Sequence, residues 1–410
     1  MQVVVARHGV VVHAAQAGHA DRERGTPLRD DTLIRIYSMT KAIAAVGAMI
    51  LVERAELCLD APVENYLPCF KGVRVLSRIV PAEGVALEPD EKICEPCGFK
   101  DAHGVQQAVV TRPCATKMTV QHLLTHTSGL TYDFMPGPVG KLYAAHGVPM
   151  EPGWVGSADG AELETPGALK RWATLVASLP LACDPGAQFN YSVSMDVVGL
   201  LLEVVSGKLL PDFLQDEILS PLGMVDTAFH VPEHKLGRMS ACYELVRGRD
   251  GANDMFELNE DPHTTKWRLP RRHLTSAGGG LLSTARDYTR FMLMLANKGT
   301  LDGKRVLGRK TVEYMMQNHL APGVLVPNGF LHARGGVGFG IGGSVTVDAA
   351  ANALPGSLNQ FSWGGAANCY MNVDSSEGLS FLIMTQVVPS FQLCQWRRDF
   401  QALVQACLVD

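Results

Sequence analysis

The chain has no cluster of lysine and arginine, and its 36 basic residues are outnumbered by 41 acidic ones, for a formal net charge of −5. That balance excludes the electrostatic footprint of a nucleic-acid binder. No apolar stretch reaches the length of a membrane span. The start, Met1-Gln-Val-Val-Val-Ala-Arg7-His8-Gly9, lacks the basic beginning and long apolar segment of a signal peptide, so a cytoplasmic protein is expected. Ten cysteines scattered over 410 residues lack the dense spacing of a disulfide-stapled secreted domain, and reduced thiols are expected. Zinc is not expected either. Cys94-Glu-Pro-Cys97, with His103 and Cys114 nearby, has no second well-spaced pair and reads as part of an inserted loop. No metal or other cofactor is called for.

What is present fits a soluble enzyme: 47% hydrophobic and 19% charged residues, in a chain long enough for two regions. Residues 2–17 read as a hairpin turning at Arg7-His8-Gly9. An all-apolar helix is expected over about 38–55, then a loop-rich stretch from Pro62 to Met118 without a clear period. Thr119 to Gly129 reads as a short helix ended by its glycine. A second helix is expected at about 194–206, ended by Gly207, and an amphipathic one from Ser283 or Thr284 to Ala296. From Val337 onward the pattern turns to strands: Phe361 to Val373 and Leu379 to Val388 flank a turn at Asp374 to Gly378, before a last helix at about 391–408. Strands at both ends and helices in the middle imply an α/β fold. One antiparallel sheet is built by the chain ends (1–57 and 275–410) and flanked by helices, with a mainly helical region (58–274) inserted.

Lys41 carries the chemistry. It is the only charged side chain between Arg35 and Glu53, in a run apolar on every side. A lone ammonium there is costly unless it is paired or loses its proton, and a lysine with a lowered pKa is a base. Ser38 stands three residues earlier on the same helical face, as a nucleophile would before its base. Its amide, near the helix start, is one of the unpaired donors that can face an oxyanion. The bland alternative is a lysine that snorkels to the surface, with the serine as a cap.

Ser38-Met-Thr-Lys41, Tyr191-Ser-Val193 and Trp363-Gly-Gly365, in that order, resemble the serine beta-lactamase-related superfamily. The similarity is strongest to class C beta-lactamase-like carboxylesterases and a related statin-type acyltransferase. Supporting blocks are His122 to Leu130, Ser276 to Tyr288 and Gly338 to Gly343. The resemblance implies a beta-lactamase/transpeptidase-like fold and a serine hydrolase that cleaves carboxylic esters through an acyl-enzyme on Ser38. Lys41 and Tyr191 would then move the proton as a coupled pair. Trp363, Gly364 and Gly365 would bind substrate, paired glycines letting a ligand approach the backbone closely. Ala366, with Gly365 one residue away as the alternative, would give the second oxyanion amide beside that of Ser38. His126 is expected to be a hydrogen-bonded structural residue.

Relatives that bind penicillin carry Lys-Thr-Gly where this chain has Trp363-Gly-Gly, and Asn where it has Val193. Both changes favour neutral esters over beta-lactams, with Arg334 as the candidate to replace the missing cation. The resemblance also implies a helix before the first strand. Its absence from this sequence suggests a truncated start, or another segment over that face. The expected partner is a small-molecule ester. Acyl transfer to an acceptor other than water, or a silent binding or scaffold role on the same fold, remain open alternatives.

Overall fold

The computed structural model describes residues 1–101, 103–148, 161–246, 248, 255–327, 335–390 and 394–409. The first hairpin forms as its valines suggest. Strand β1 (Gln2–Arg7) alternates buried and half-buried side chains, and β2 (Val10–Gln16) returns beside it. His8 and Gly9 turn the chain with φ of 49° and 78°, the pair of left-handed residues that a tight hairpin of matching twist requires.

Five strands from the far end complete the sheet: β3 (Val337–Phe339), β4 (Ser344–Thr346), β5 (Phe361–Gly364), β6 (Tyr370–Asp374) and β7 (Leu379–Met384). The order is β3-β4-β5-β6-β7-β1-β2, so the two chain ends do form one seven-stranded antiparallel sheet. The seam is β1 on β7, with Gln2 opposite Met384 and Arg7 opposite Leu379.

Helix α1 (Thr40–Glu53) is buried from Thr40 through Leu51 and packs on α3 (Ser194–Ser206). Gly47 permits the approach: a β-carbon there would lie 3.0 Å from the Phe213 ring and 3.4 Å from Leu202. Helix α3 stops at Gly207, whose φ of 70° suits a glycine C-cap. Helix α4 (Ala285–Ala296), capped by the Thr284 hydroxyl accepting from the Asp287 amide, covers one face of the sheet against β1, β6 and β7. The last helix, α5 (Cys394–Ala406), lies on the other side, where Phe400 and Val404 pack with Val5, Leu379 and Phe381. A segment from the far end of the chain therefore covers part of this face of the sheet. Strand β2 is nevertheless exposed along its whole length.

Several elements differ from expectation. The stretch 62–118 is not irregular. Arg74–Pro81 pairs antiparallel with Gln106–Pro113, and Lys92–Ile93 and Phe99–Lys100 also pair with the latter. Its core is short, with Val75, Ala108, Val109 and Val110 buried among charged neighbours that mask the alternation. Cys94 and Cys97 are joined by a disulfide across the turn Glu95–Cys97, so these two thiols are not reduced. The helix from Thr119 ends well before Gly129. Its helical part, α2, is Val120–Leu124, because His126 takes a left-handed φ of 54°. Residues 361–373 make two strands, β5 and β6, with a turn between them. Val387–Val388 leaves the main sheet to pair parallel with Cys242–Val246.

Candidate active site

Ser38 does not sit inside α1. It occupies a single 3-10 turn, Tyr37–Met39, just before that helix. Tyr37 enters this turn with a φ of 44°, which L residues rarely adopt and which costs on the order of 1–3 kcal/mol. The strain is held by packing: Tyr37 is buried edge-on against Trp267, ring centroids 6.2 Å apart. The turn carries Ser38 into a site built from four other parts of the chain.

Lys41 is 1% exposed, and its ammonium is fully used. It donates to Ser38 Oγ at 3.1 Å, to the Tyr132 hydroxyl at 3.1 Å and to the Gly278 carbonyl at 2.6 Å. Three protons meet three acceptors, the arrangement that makes a buried ammonium tolerable. The snorkelling alternative is thereby excluded. Tyr191 reaches the same serine from the start of α3, its hydroxyl donating to Ser38 Oγ at 2.8 Å. The Lys41 ammonium lies 4.7 Å from the centre of the Tyr191 ring. Ser38, Lys41 and Tyr191, scattered over 153 residues of sequence, thus share one hydroxyl.

Trp363 is buried, its ring 5.5 Å from that of Tyr191 and edge-on to Phe339 at 5.1 Å. The two glycines after it face protein. A β-carbon on Gly364 would collide with the Arg397 guanidinium, and one on Gly365 with the Ile36 carbonyl next to the serine turn. Their missing side chains let the strand end pack tightly against α5 and against Ile36-Tyr37. That differs from the expected opening toward a ligand. Between β5 and β6 the chain turns tightly, the Gly365 amide donating to the Cys369 carbonyl at 2.8 Å. That bond occupies Gly365 and leaves Ala366 as the better of the two amides proposed from sequence.

Three residues at the site were not anticipated. Tyr132, two positions beyond the His122 to Leu130 block, had no feature to single it out. Gly278 lies in a block recognised only as support. Asp196 carried a readable signal that was overlooked, being the only charge between Asp184 and Glu203 in an apolar helix, the same pattern as Lys41. It is fully buried on α3, where Oδ1 accepts from Ser276 Oγ at 2.6 Å and from the Gly278 amide at 3.0 Å. Burial pushes its carboxyl up to about 6 against the opposing pull of Lys41 and these hydrogen bonds.

His126 is buried with Nδ1 3.1 Å from Ser192 Oγ, and its ring lies 4.6 Å from that of Tyr191. Burial, reinforced by the Lys41 charge, holds it well below the usual histidine range, so it is neutral near pH 7. Arg334 lies outside the described residues. Among those described, no group of three or more His, Cys, Asp or Glu is arranged to hold a metal ion. No described helix is long and apolar enough to cross a membrane.

The chain is 31% identical over 397 residues to Esterase EstB of Burkholderia gladioli, covering 93% of this chain and 84% of that protein. It is 26% identical to the monacolin J acid methylbutanoyltransferase of Aspergillus terreus, covering 88% of this chain and 79% of the other. Among solved structures, EstCE1, described as a hydrolase with promiscuous acyltransferase activity, matches with a TM-score of 0.72 at 25% identity, over 98% of this chain and 93% of that one. Unliganded simvastatin synthase from Aspergillus terreus shares the fold at a TM-score of 0.73 and 23% identity, over 99% and 93% of the two chains. The Beta-lactamase family model matches residues 1–404. With strands from both chain ends in one sheet, and with these relatives, the chain belongs to the beta-lactamase family.

Proposed function

We propose that this protein is a serine esterase that works through an acyl-enzyme on Ser38. The observation that carries the reading is the shared hydroxyl: Ser38 Oγ lies 3.1 Å from Lys41 Nζ and 2.8 Å from the Tyr191 hydroxyl. A serine hydroxyl is a poor nucleophile until a neighbouring group takes its proton. In the reactive form the Lys41–Tyr191 pair is one proton short of full protonation, and it accepts the serine proton as Ser38 Oγ attacks the ester carbonyl. The tetrahedral oxyanion is received by the amides of Ser38 and Ala366. The pair then returns the proton to the departing alkoxide, which leaves as the alcohol. Water enters, the same pair takes its proton, and collapse of the second tetrahedral species frees the acid and restores Ser38. Lys41 and Tyr191 contact the same hydroxyl, so the base is the pair rather than either residue.

Neutral esters are the proposed substrate class. Trp363 stands where penicillin-binding relatives place a lysine, and its buried ring offers no charge to a carboxylate. Acyl transfer is the second reading, supported by the similarity to an Aspergillus terreus acyltransferase. In that case an alcohol replaces water at the second step. The experiment is incubation with a fluorophosphonate probe, mapping of the labelled peptide, and turnover of p-nitrophenyl butyrate and of nitrocefin. Label on Ser38, lost in Ser38→Ala together with butyrate turnover, is expected. Unchanged labelling of Ser38→Ala would remove the assignment, and nitrocefin turnover equal to that of butyrate would remove the substrate class.

A further inference from the structure

Arg397 projects from α5 beneath the main sheet, on the side away from α4, and is only 7% exposed. Its Nη2 donates to the Gly365 carbonyl and its Nε to Asn368 Oδ1, both at 2.9 Å. The guanidinium lies 5.5 Å from the Tyr370 ring centre. All three contacts belong to one feature, the turn from β5 to β6 that contains Ala366. Gly364 completes the fit, since any side chain there would strike the same guanidinium. Farther along the turn, the Ala367 carbonyl accepts from Thr385 Oγ1 at 2.6 Å and from the Val387 amide at 3.3 Å. Asn368 adopts a φ of 66° and donates its amide to the Gly365 carbonyl at 3.0 Å.

The Gly365 carbonyl and the Ala366 amide are two ends of one planar trans peptide, so they point in opposite directions. Whatever fixes the oxygen also aims the N–H. A charged donor on the oxygen further polarises the peptide and makes its N–H a stronger donor. The α-carbon of Gly365 packs closely against Ile36 and Tyr37, the residues that lead into Ser38.

We propose that Arg397 is a positioning residue for the oxyanion hole: by holding the Gly365 carbonyl under the sheet, it aims the Ala366 amide toward Ser38. The proposal rests on the esterase reading, with Ala366 as an oxyanion donor. It assigns a catalytic consequence to the last helix, which touches none of the reacting atoms.

Arg397→Ala and Arg397→Lys, compared with the unaltered protein on p-nitrophenyl butyrate, test it. Removing a single oxyanion donor lowers turnover by roughly 100- to 1000-fold, and misaiming one should cost part of that. The expected result is a roughly 10- to 100-fold fall in kcat for Arg397→Ala with KM within about twofold, an intermediate fall for Arg397→Lys, and recovery of several-fold when guanidinium is added to the alanine variant. Amide hydrogen exchange should rise in the peptide spanning 363–371 and stay level elsewhere. A folded Arg397→Ala with kcat within twofold of the unaltered protein overturns the proposal. So does a fall in kcat accompanied by faster exchange throughout the chain and no guanidinium recovery. If the alanine variant does not fold, Asn368→Gly decides, because glycine tolerates the left-handed φ while losing the contact to Arg397. A several-fold loss of kcat supports the proposal, and none refutes it. If the unaltered protein neither takes the fluorophosphonate probe nor hydrolyses the ester, the esterase reading fails. Exchange in 363–371 then still decides whether Arg397 fixes the turn.

Discussion

The two sides of the site are held together by different means. On one side, Ser38 and Lys41 are three residues apart, and the contact between them follows from the pitch of a helical turn. On the other, the turn carrying Ala366 owes its shape to Ile36, Thr385, Val387 and Arg397, none of them its sequence neighbours. A local arrangement survives small changes elsewhere in the chain, whereas a long-range one depends on every segment that meets there. Even the local side is not wholly local, since Tyr191 joins it from 153 residues away.

Three experiments sharpen this contrast, the strongest expected first. Lys41→Met keeps side-chain length and removes the buried charge. Turnover of p-nitrophenyl butyrate is expected to drop by three orders of magnitude or more, with the fold retained and the melting temperature lowered by a few degrees, since the Tyr132 hydroxyl and the Gly278 carbonyl lose their donor. Near-normal kcat would detach the local side of the site from catalysis.

Asp196→Asn tests whether a distant charge belongs to the same unit. The carboxyl is raised to about 6 in the fold, against about 4 in an unfolded chain, so the native state binds the extra proton between those values. The cost of burying the charge is therefore fully present above about pH 6 and is relieved as pH falls toward 4. The asparagine keeps the acceptor for Ser276 and Gly278 and removes that cost. Urea denaturation across pH 4–7 should show a stability difference in favour of the variant that grows by about 3 kcal/mol toward pH 7. A constant difference would mean that Asp196 does not titrate in this range.

Tyr132→Phe is the mildest. It removes one of three acceptors from Lys41 and leaves Ser38 and Gly278 in place. A fall in kcat of about tenfold is expected, with little change in KM, because a hydrogen bond to a charged group contributes about 1.5–3 kcal/mol. A loss as large as that of Lys41→Met would show that Tyr132 takes a direct part in proton movement.

The same contrast explains what could be read from the sequence. The sheet of two chain ends, the hairpin, α3 with its Gly207 stop and α4 with its Thr284 cap were all visible, because alternation, periodicity and caps are local signals. Ser38, Lys41 and Tyr191 were visible as motifs, and the structure brings them to one hydroxyl. The break between β5 and β6 was missed because Gly364, Gly365 and Asn368 were read as parts of one strand. The bonds that turn the chain there come from Arg397 and Thr385, far along the sequence. Tyr132 was missed because an isolated tyrosine carries no spacing. Asp196 was as legible as Lys41, being the only charge between Asp184 and Glu203, but no sequence neighbour marks what it bonds: Ser276 and Gly278 lie some 80 residues away.

One consequence concerns Tyr37. The residue before the serine is kept in a left-handed conformation by Trp267, which lies 230 positions away and packs edge-on against it. In a partly assembled chain that lacks the Trp267 contact, Tyr37 is freer to relax to an ordinary φ, and Ser38 moves with it. If the proposed esterase reading holds, its turnover reports docking of Trp267 on this turn, and in a refolding experiment it should appear after helical ellipticity has recovered.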